Sequence, residues 1–271
     1  MGKTGVGKSA TANTISGGND FESGDCALTM TRICQQQKVT RFGRDISIID
    51  TPGIFDTETD QNVVRTEIKR CIHLGAPGLH AILYVMEIGR FKQEDLLAIQ
   101  TFLTFFKEDM QNRMIVVFTH GDKLLKKKQS LPDYLKIVPE SLNTFLESCE
   151  NRVILFNNDF NKEQSGEQVS CIITMIEALK KSNEFPFYCD DMFTKAEENI
   201  RQREEEIRKM VEMEYKEKLE VLKRTFKIKL QRELMKERED ELKNSKDIFD
   251  ERLSRVREEV RNEIKSDKSK W

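Results

Sequence analysis

Residues 2–9, GKTGVGKS, set Gly2, Gly5 and Gly7 ahead of Lys8 and Ser9, in the pattern G-x-x-x-x-G-K-[ST] of a loop that holds phosphate. The glycines let backbone N–H groups turn inward on an anion, and the Ala10 N–H continues the cradle. Lys8 supplies a cation for the terminal phosphates, and Ser9, at the start of a helix, supplies a hydroxyl for Mg²⁺. Such a loop handles nucleoside triphosphates but by itself leaves ATPase, kinase and GTPase open.

Two apolar runs end in further polar groups. ISIIDTPG, residues 46–53, ends in Asp50, Thr51, Pro52 and Gly53. A carboxylate at the end of a buried strand reaches Mg²⁺ through water, and Gly53, without a side chain, lets its N–H approach a γ-phosphate. IVVFTHGDKL, residues 115–124, runs into Thr119, His120, Gly121 and Asp122. A carboxylate there can accept both N1–H and N2–H of guanine. Adenine lacks that donor pair, and sites built on such bonds reject the analogue by about 10⁴-fold. The usual pattern is [NT]-K-x-D, so His120 stands where lysine is expected; its ring can stack on the base. A surface turn without a ligand is the alternative reading of this stretch. VILFNN places Asn157 after another strand, where it can close over the base or simply end the strand.

The elements that must carry these groups follow from the hydrophobic pattern. KVTRFGRDISIID reads as two strands around a Gly43-Arg44 turn, and HAILYVMEI, RMIVVFT and RVILF as three more. Between them, helices are expected over Thr59–Leu74, Lys92–Phe106, Leu131–Cys149 and Gln164–Lys181. This alternation predicts an α/β fold with a parallel sheet covered on both faces. Beyond Asp190 glycine and proline vanish and Glu, Lys and Arg dominate. Apolar residues there recur at helical spacing, with a break expected near Asn244-Ser245. The predicted domains are 1–189, carrying the site, and 190–271, a charged amphipathic helical extension open to solvent, coiled-coil or docking roles.

Composition narrows the partners. A net charge of −2 gives no field to recruit nucleic acid. Six scattered cysteines without a C-x-x-C pair read as free thiols in a reducing compartment, so a cytoplasmic setting is expected. Cys71 and His73, two apart on a helix, point to different faces and make a poor metal pair. The longest apolar runs fall short of the roughly 18 residues that crossing a bilayer takes.

These motifs together resemble the GIMAP family of immune-associated nucleotide-binding (AIG-type) GTPases, in the septin-like and chloroplast-import-receptor-like branch of G proteins. The stretch most specific to that family is LGAPGLHAILYVMEIGRFKQED, residues 74–95. With GKTGVGKSATANTI, DTPGIFDT, FTHGD and CENRVILFNN, the resemblance covers residues 2–160, and YCDDMFTKAEENIRQREEEIRK is similar to the family's exit into its helical extension.

The resemblance implies a P-loop G domain that binds GTP or GDP with Mg²⁺. It further implies a switch with GTP-dependent self-association, as a homodimer or oligomer or with other family members. MTRICQ places the switch threonine at Thr31, on Mg²⁺ and the γ-phosphate, with Thr29 the competing assignment. The metal-facing set is then Ser9, Thr31 and Asp50. Ile54 stands where a water-positioning glutamine would follow the DTPG turn, so hydrolysis is expected to be slow. Arg90 is the candidate to compensate as an arginine finger, in cis or in trans; alternatively it pairs with Glu94 or Asp95. The family's loop is entered from a short apolar strand, whereas only Met1 precedes it here, so a sheet lacking that strand, and a fragmentary chain, are expected. A P-loop ATPase or kinase, and a nucleotide-free interaction protein whose helices are its working part, are the other classes.

Overall fold

The computed structural model describes residues 1–23, 33–53, 60–105, 108–183 and 185–266. The phosphate loop runs directly into helix α1 (Lys8–Ser16). Gly7 caps it in the left-handed conformation, and a second left-handed glycine, Gly17, ends it by donating its N–H to Asn13 O. Strands β1 (Gln35–Arg41) and β2 (Arg44–Asp50) form an antiparallel hairpin. Its two turn residues, Phe42 and Gly43, both have positive φ, as the tightest hairpin turns require. Helix α2 (Gln61–Gly75) starts at Asp60, whose carboxylate accepts the Asn62 N–H at 2.6 Å.

The rest of the α/β unit alternates as the apolar runs predict: β3 (Ile82–Glu87), α3 (Gln93–Phe105), β4 (Met114–Thr119), α4 (Asp122–Lys126), α5 (Leu131–Leu135), α6 (Glu140–Ser148), β5 (Val153–Leu155) and α7 (Lys162–Ser182). β3, β4 and β5 pair in parallel, with Tyr84 opposite Val116 and Val116 opposite Val153. The period of two along the strands divides the core. Tyr84, Met86, Val116 and Phe118 pack with α2, α3 and α6, while Val85 and Val117 pack with α1 and α7. Tyr84 meets Phe102 and Phe145 edge-on at 5.6 and 5.3 Å between ring centres. Each such buried side chain contributes about 1.5–3 kcal/mol of transfer free energy.

Two expectations are corrected. The single helix expected over Leu131–Cys149 is two, α5 and α6, because the residue ahead of Pro139 is driven out of the helical region and Pro139 becomes the cap of α6. The extension is one helix, α8 (Asp191–Ser266), with no break at Asn244-Ser245. Asn and Ser cost a helix only a fraction of a kcal/mol each, and no glycine or proline lies nearby to stop it.

The chain divides into two compact units, Met1–Arg201 and Gln202–Trp271. In the first, α8 contributes Phe193 and Ala196 to the core. In the second, the described side chains of α8 are exposed. No helix among the described residues is long and apolar enough to cross a membrane.

Among the described residues, β2 and β3 do not pair, so the strands form a two-stranded and a three-stranded sheet. Met1 lies along β3 on that side. Its ammonium donates to Leu83 O at 2.8 Å and its carbonyl accepts the Val85 N–H at 2.7 Å.

Candidate functional site

The loop from Gly2 to Ala10 delivers its groups to the N-terminus of α1. No side chain caps that end and its first turn holds no acidic residue, leaving a positive helix terminus suited to an anion. Lys8 is buried, and its Nζ donates to Lys3 O across the loop at 2.6 Å. Burial and the nearby Lys8 charge lower the Met1 ammonium to about 6.

Ser9 and Asp50 meet directly. The Ser9 hydroxyl donates to Asp50 Oδ2 at 2.6 Å, and Asp50 Oδ1 accepts the Thr51 N–H at 3.0 Å. Beside them the Thr51 hydroxyl is buried without a hydrogen-bond partner among the described residues. A hydroxyl and a carboxylate at a helix N-terminus fit Mg²⁺, which takes few protein oxygens and completes its shell with phosphate and water. Among the described residues no cluster of three His, Cys, Asp or Glu side chains offers a fuller metal cage. Gly53 lies against the loop: a Cβ there would overlap the Thr4 hydroxyl and come within 2.6 Å of the Thr4 nitrogen. Only glycine fits that approach.

Thr119, fully buried, shares its one hydroxyl proton between Val6 O at 2.8 Å and Met86 O at 3.2 Å. It thus ties the phosphate loop to the ends of β3 and β4. His120 follows in the left-handed region, φ 57°, with Nδ1 3.2 Å from the Thr119 hydroxyl. The Gly121 N–H donates to Phe156 O, folding this turn onto the exit of β5. Asp122 opens α4 and pairs with Lys126 at 2.8 Å; the hydrogen bond from Lys126 holds its carboxyl below the usual carboxylate range.

The loop after β5 divides its asparagines. Asn157 is used internally, its backbone bonded both ways to the Gln168 side chain and its Oδ1 accepting the Asp159 N–H. Asn158, which the sequence reading passed over, reaches α1, accepting from Thr14 at 3.0 Å and donating to Thr11 at 3.3 Å. A Cβ on Gly7 would sit 3.4 Å from Asn158 Nδ2 and 3.5 Å from Thr119 Cγ2. Nothing in an N-N pair after a short strand says which side chain turns inward.

Arg90, exposed, lies beyond β3 in a cavity of ≈ 920 Å³ that it shares with Lys3, Thr4 and Gly5. The acids considered as its partners are engaged by Lys3, at 3.1 Å from Asp95 and 3.7 Å from Glu94. No described residue forms an ion pair with Arg90. Lys3 was also missed: it is one of the variable positions of the motif, and its partner lies far along the chain. Thr31, Thr29 and Ile54 lie outside the described residues.

Comparison with known proteins follows from this arrangement. The AIG1 family matches residues 1–207. The chain belongs to the AIG1 family. Among AIG1 relatives, immune-associated nucleotide-binding protein 9 of Arabidopsis thaliana is 37% identical over 201 residues, covering 73% of this chain and 59% of its own length. Immune-associated nucleotide-binding protein 4 of the same plant is 35% identical over 214 residues, covering 76% and 66%. The chain therefore spans 59% and 66% of these two relatives. The crystal structure of Arabidopsis thaliana Toc33 with GDP and Mg²⁺ superposes with a TM-score of 0.52 at 19% identity, over 70% of this chain and 86% of Toc33. Toc33 with Mg²⁺ and GMPPNP gives 0.52 at 18%, over 68% and 84%. These likenesses establish the fold of the AIG1 chain as that of a P-loop GTPase G domain.

Proposed function

We propose that the chain is a guanine-nucleotide-binding switch that hydrolyses GTP slowly and self-associates through its nucleotide face. The observation that carries this reading is the convergence of three loops on Gly7: α1 begins there, Thr119 and Asn158 flank it, and Ser9 bonds to Asp50 two residues on. The names of the AIG1 relatives and the ligands of Toc33 support a guanine nucleotide. The domains read as a G domain over 1–189 and a helical extension over 190–271. A cytoplasmic setting accords with the free thiols of Cys34, Cys71 and Cys149.

In this reading the N–H groups from Gly5 to Ala10, with Gly2 giving the loop its turn, receive the phosphates. Lys8 exchanges the Lys3 carbonyl for a phosphate oxygen. Ser9, Asp50 and Thr31 would hold Mg²⁺, which when bound neutralises charge on the β- and γ-phosphates. The Gly53 N–H faces the γ-phosphate. Asp122 accepts N1–H and N2–H of guanine, His120 stacks on the ring, and Thr119 and Asn157 hold the base loops in place. Without a glutamine at Ile54, attacking water is poorly oriented, and Arg90 supplies positive charge to the transferring group in cis or across a dimer. Toc33 offers a parallel, being described with a dimerization-deficient arginine-to-alanine mutant and with dimerization as important for its GTPase activity.

The test is to denature the purified chain, separate any released nucleotide, and titrate fluorescent GTP and ATP analogues. Guanine nucleotide and a preference for GTP of at least a hundredfold are expected. Equal affinity for ATP would overturn the base assignment. Binding of neither would leave an interaction protein on a nucleotide-free G domain.

A further inference from the structure

The cavity of ≈ 920 Å³ that holds Arg90 is lined by buried Phe118, Leu124 and Leu142 and by half-buried Phe91 and Tyr134. A mostly apolar space of this size with a few polar groups is what small-molecule sites present. One of its polar groups is out of place. Tyr84 is 2% exposed, and Phe102 and Phe145 meet its ring edge-on. The Tyr134 hydroxyl donates to Gly89 O at 2.8 Å, but the Tyr84 hydroxyl forms no hydrogen bond with any described residue. The nearby Asp95 does not serve it: Oδ1 accepts from Lys3 at 3.1 Å and Oδ2 from the Lys92 N–H at 2.8 Å. Nor is it sealed in, as the Thr51 hydroxyl is; what remains open of Tyr84 faces the cavity. Burial, and then the Asp95 charge, push this hydroxyl up, so it stays protonated and able to donate. A phenylalanine would pack there without the cost of an unmet hydroxyl.

The lining is also basic. Six lysine and arginine side chains stand there against two carboxylates, in a chain of net charge −2. Lys3, Lys123 and Lys126 are paired with Asp95, Glu87 and Asp122. Arg90, Lys92 and Lys127 are exposed and form no ion pair among the described residues. An anion can meet them without breaking an existing pair, while an apolar body behind it leaves water.

We propose that this cavity binds a small amphipathic anion: an apolar body on Phe91, Phe118 and Leu124, an acceptor oxygen on the Tyr84 hydroxyl, and an anionic head at Lys92 and Lys127. Each part of the lining excludes something. The unmet donor disfavours a plain hydrocarbon, the basic residues disfavour a cation, and the apolar depth disfavours free phosphate or a sugar. The site is distinct from the nucleotide site and does not depend on the nucleotide assignment.

The test uses the full chain and 4-benzoylbenzoate, which carries an aromatic body, a ketone oxygen and a carboxylate, and which crosslinks to its surroundings on irradiation. Saturable labelling is expected within residues 84–95 and 118–142, half-complete at about 0.1–1 mM for a ligand of this size. Tyr84→Phe should unfold no earlier than the parent chain yet bind the ketone about fivefold more weakly. Competing 4-benzylbenzoate, with a methylene in place of the ketone, should bind both chains alike. Lys92→Gln with Lys127→Gln should weaken the probe about fivefold at low salt. Labelling should persist under a saturating GTP analogue with Mg²⁺. Equal affinity of the ketone for the parent and Tyr84→Phe chains would overturn the proposal, as would label outside those segments. Displacement of the label by the GTP analogue would also overturn it, by making the cavity part of the nucleotide site.

Discussion

The Ser9 hydroxyl and the Asp50 carboxylate are joined by a 2.6 Å hydrogen bond that ties the first turn of α1 to the C-terminal end of β2. If this pair holds Mg²⁺ beside the phosphates, Ser9→Ala should lower GTP affinity at least tenfold in Mg²⁺ and little in EDTA, as calorimetric titration would measure. The fold should lose only about 1 kcal/mol, since Asp50 keeps the Thr51 N–H. An equal loss in EDTA would mean that the bond is structural.

Gly53→Ala is expected to be damaging for a steric reason. The added methyl meets the nitrogen and Cα of Thr4 at 2.6 and 2.8 Å as well as its hydroxyl. The cost is about 1–3 kcal/mol in denaturant unfolding. A second change, Thr4→Ala, should recover little of it, because the backbone of residue 4 remains. Full recovery in the double variant would show that the side chain alone was the obstacle.

Asp122 gives a pH dependence with a definite sign. Its carboxyl, held low by Lys126, stays ionised as pH falls through the ordinary carboxylate range, so guanine affinity should persist there. Affinity is lost only when pH passes below the depressed value. Lys126→Ala should move that acid limb upward, and Asp122→Ala should abolish the preference for GTP over ATP at every pH. Fluorescence titrations of both analogues across pH would register the shift; an unmoved limb in Lys126→Ala would remove Lys126 as its cause.

Arg90 lies in the cavity beside Lys3, Thr4 and Gly5 without an ion-pair partner among the described residues. Arg90→Ala should therefore leave folding unchanged, within about 0.5 kcal/mol, as for surface substitutions generally. It should remove most of the rise in turnover per chain seen on increasing protein concentration. A turnover that rises as in the parent chain would end its candidacy.

The parts of the fold and site that the sequence declares are those where chemistry or periodicity restricts residue type. β4 is unmistakable because all six of its residues are buried. Lys8, Ser9, Asp50 and Gly53 stand out because few other residue types suit a phosphate-loop pattern, and the structure brings Ser9 to Asp50 and Gly53 to the loop at Thr4. Pro139 was visible, but apolar residues at helical spacing on either side of it masked the break between α5 and α6. The continuity of α8 at Asn244-Ser245 depends on small propensity differences. Asn158 and the Lys3–Asp95 pair depend on tertiary placement, which neighbours in the chain do not encode.

One hydroxyl, that of Thr119, shares its proton between the Val6 carbonyl of the N-terminal loop and the Met86 carbonyl at the end of β3, while His120 begins the candidate base loop beside it. The two ends of the candidate site are therefore not independent receptors. Inorganic phosphate, or a nucleoside without phosphates, contacts only one of these joined ends. A displacement at either end, by ligand or by Thr119→Val, should therefore be felt at the other.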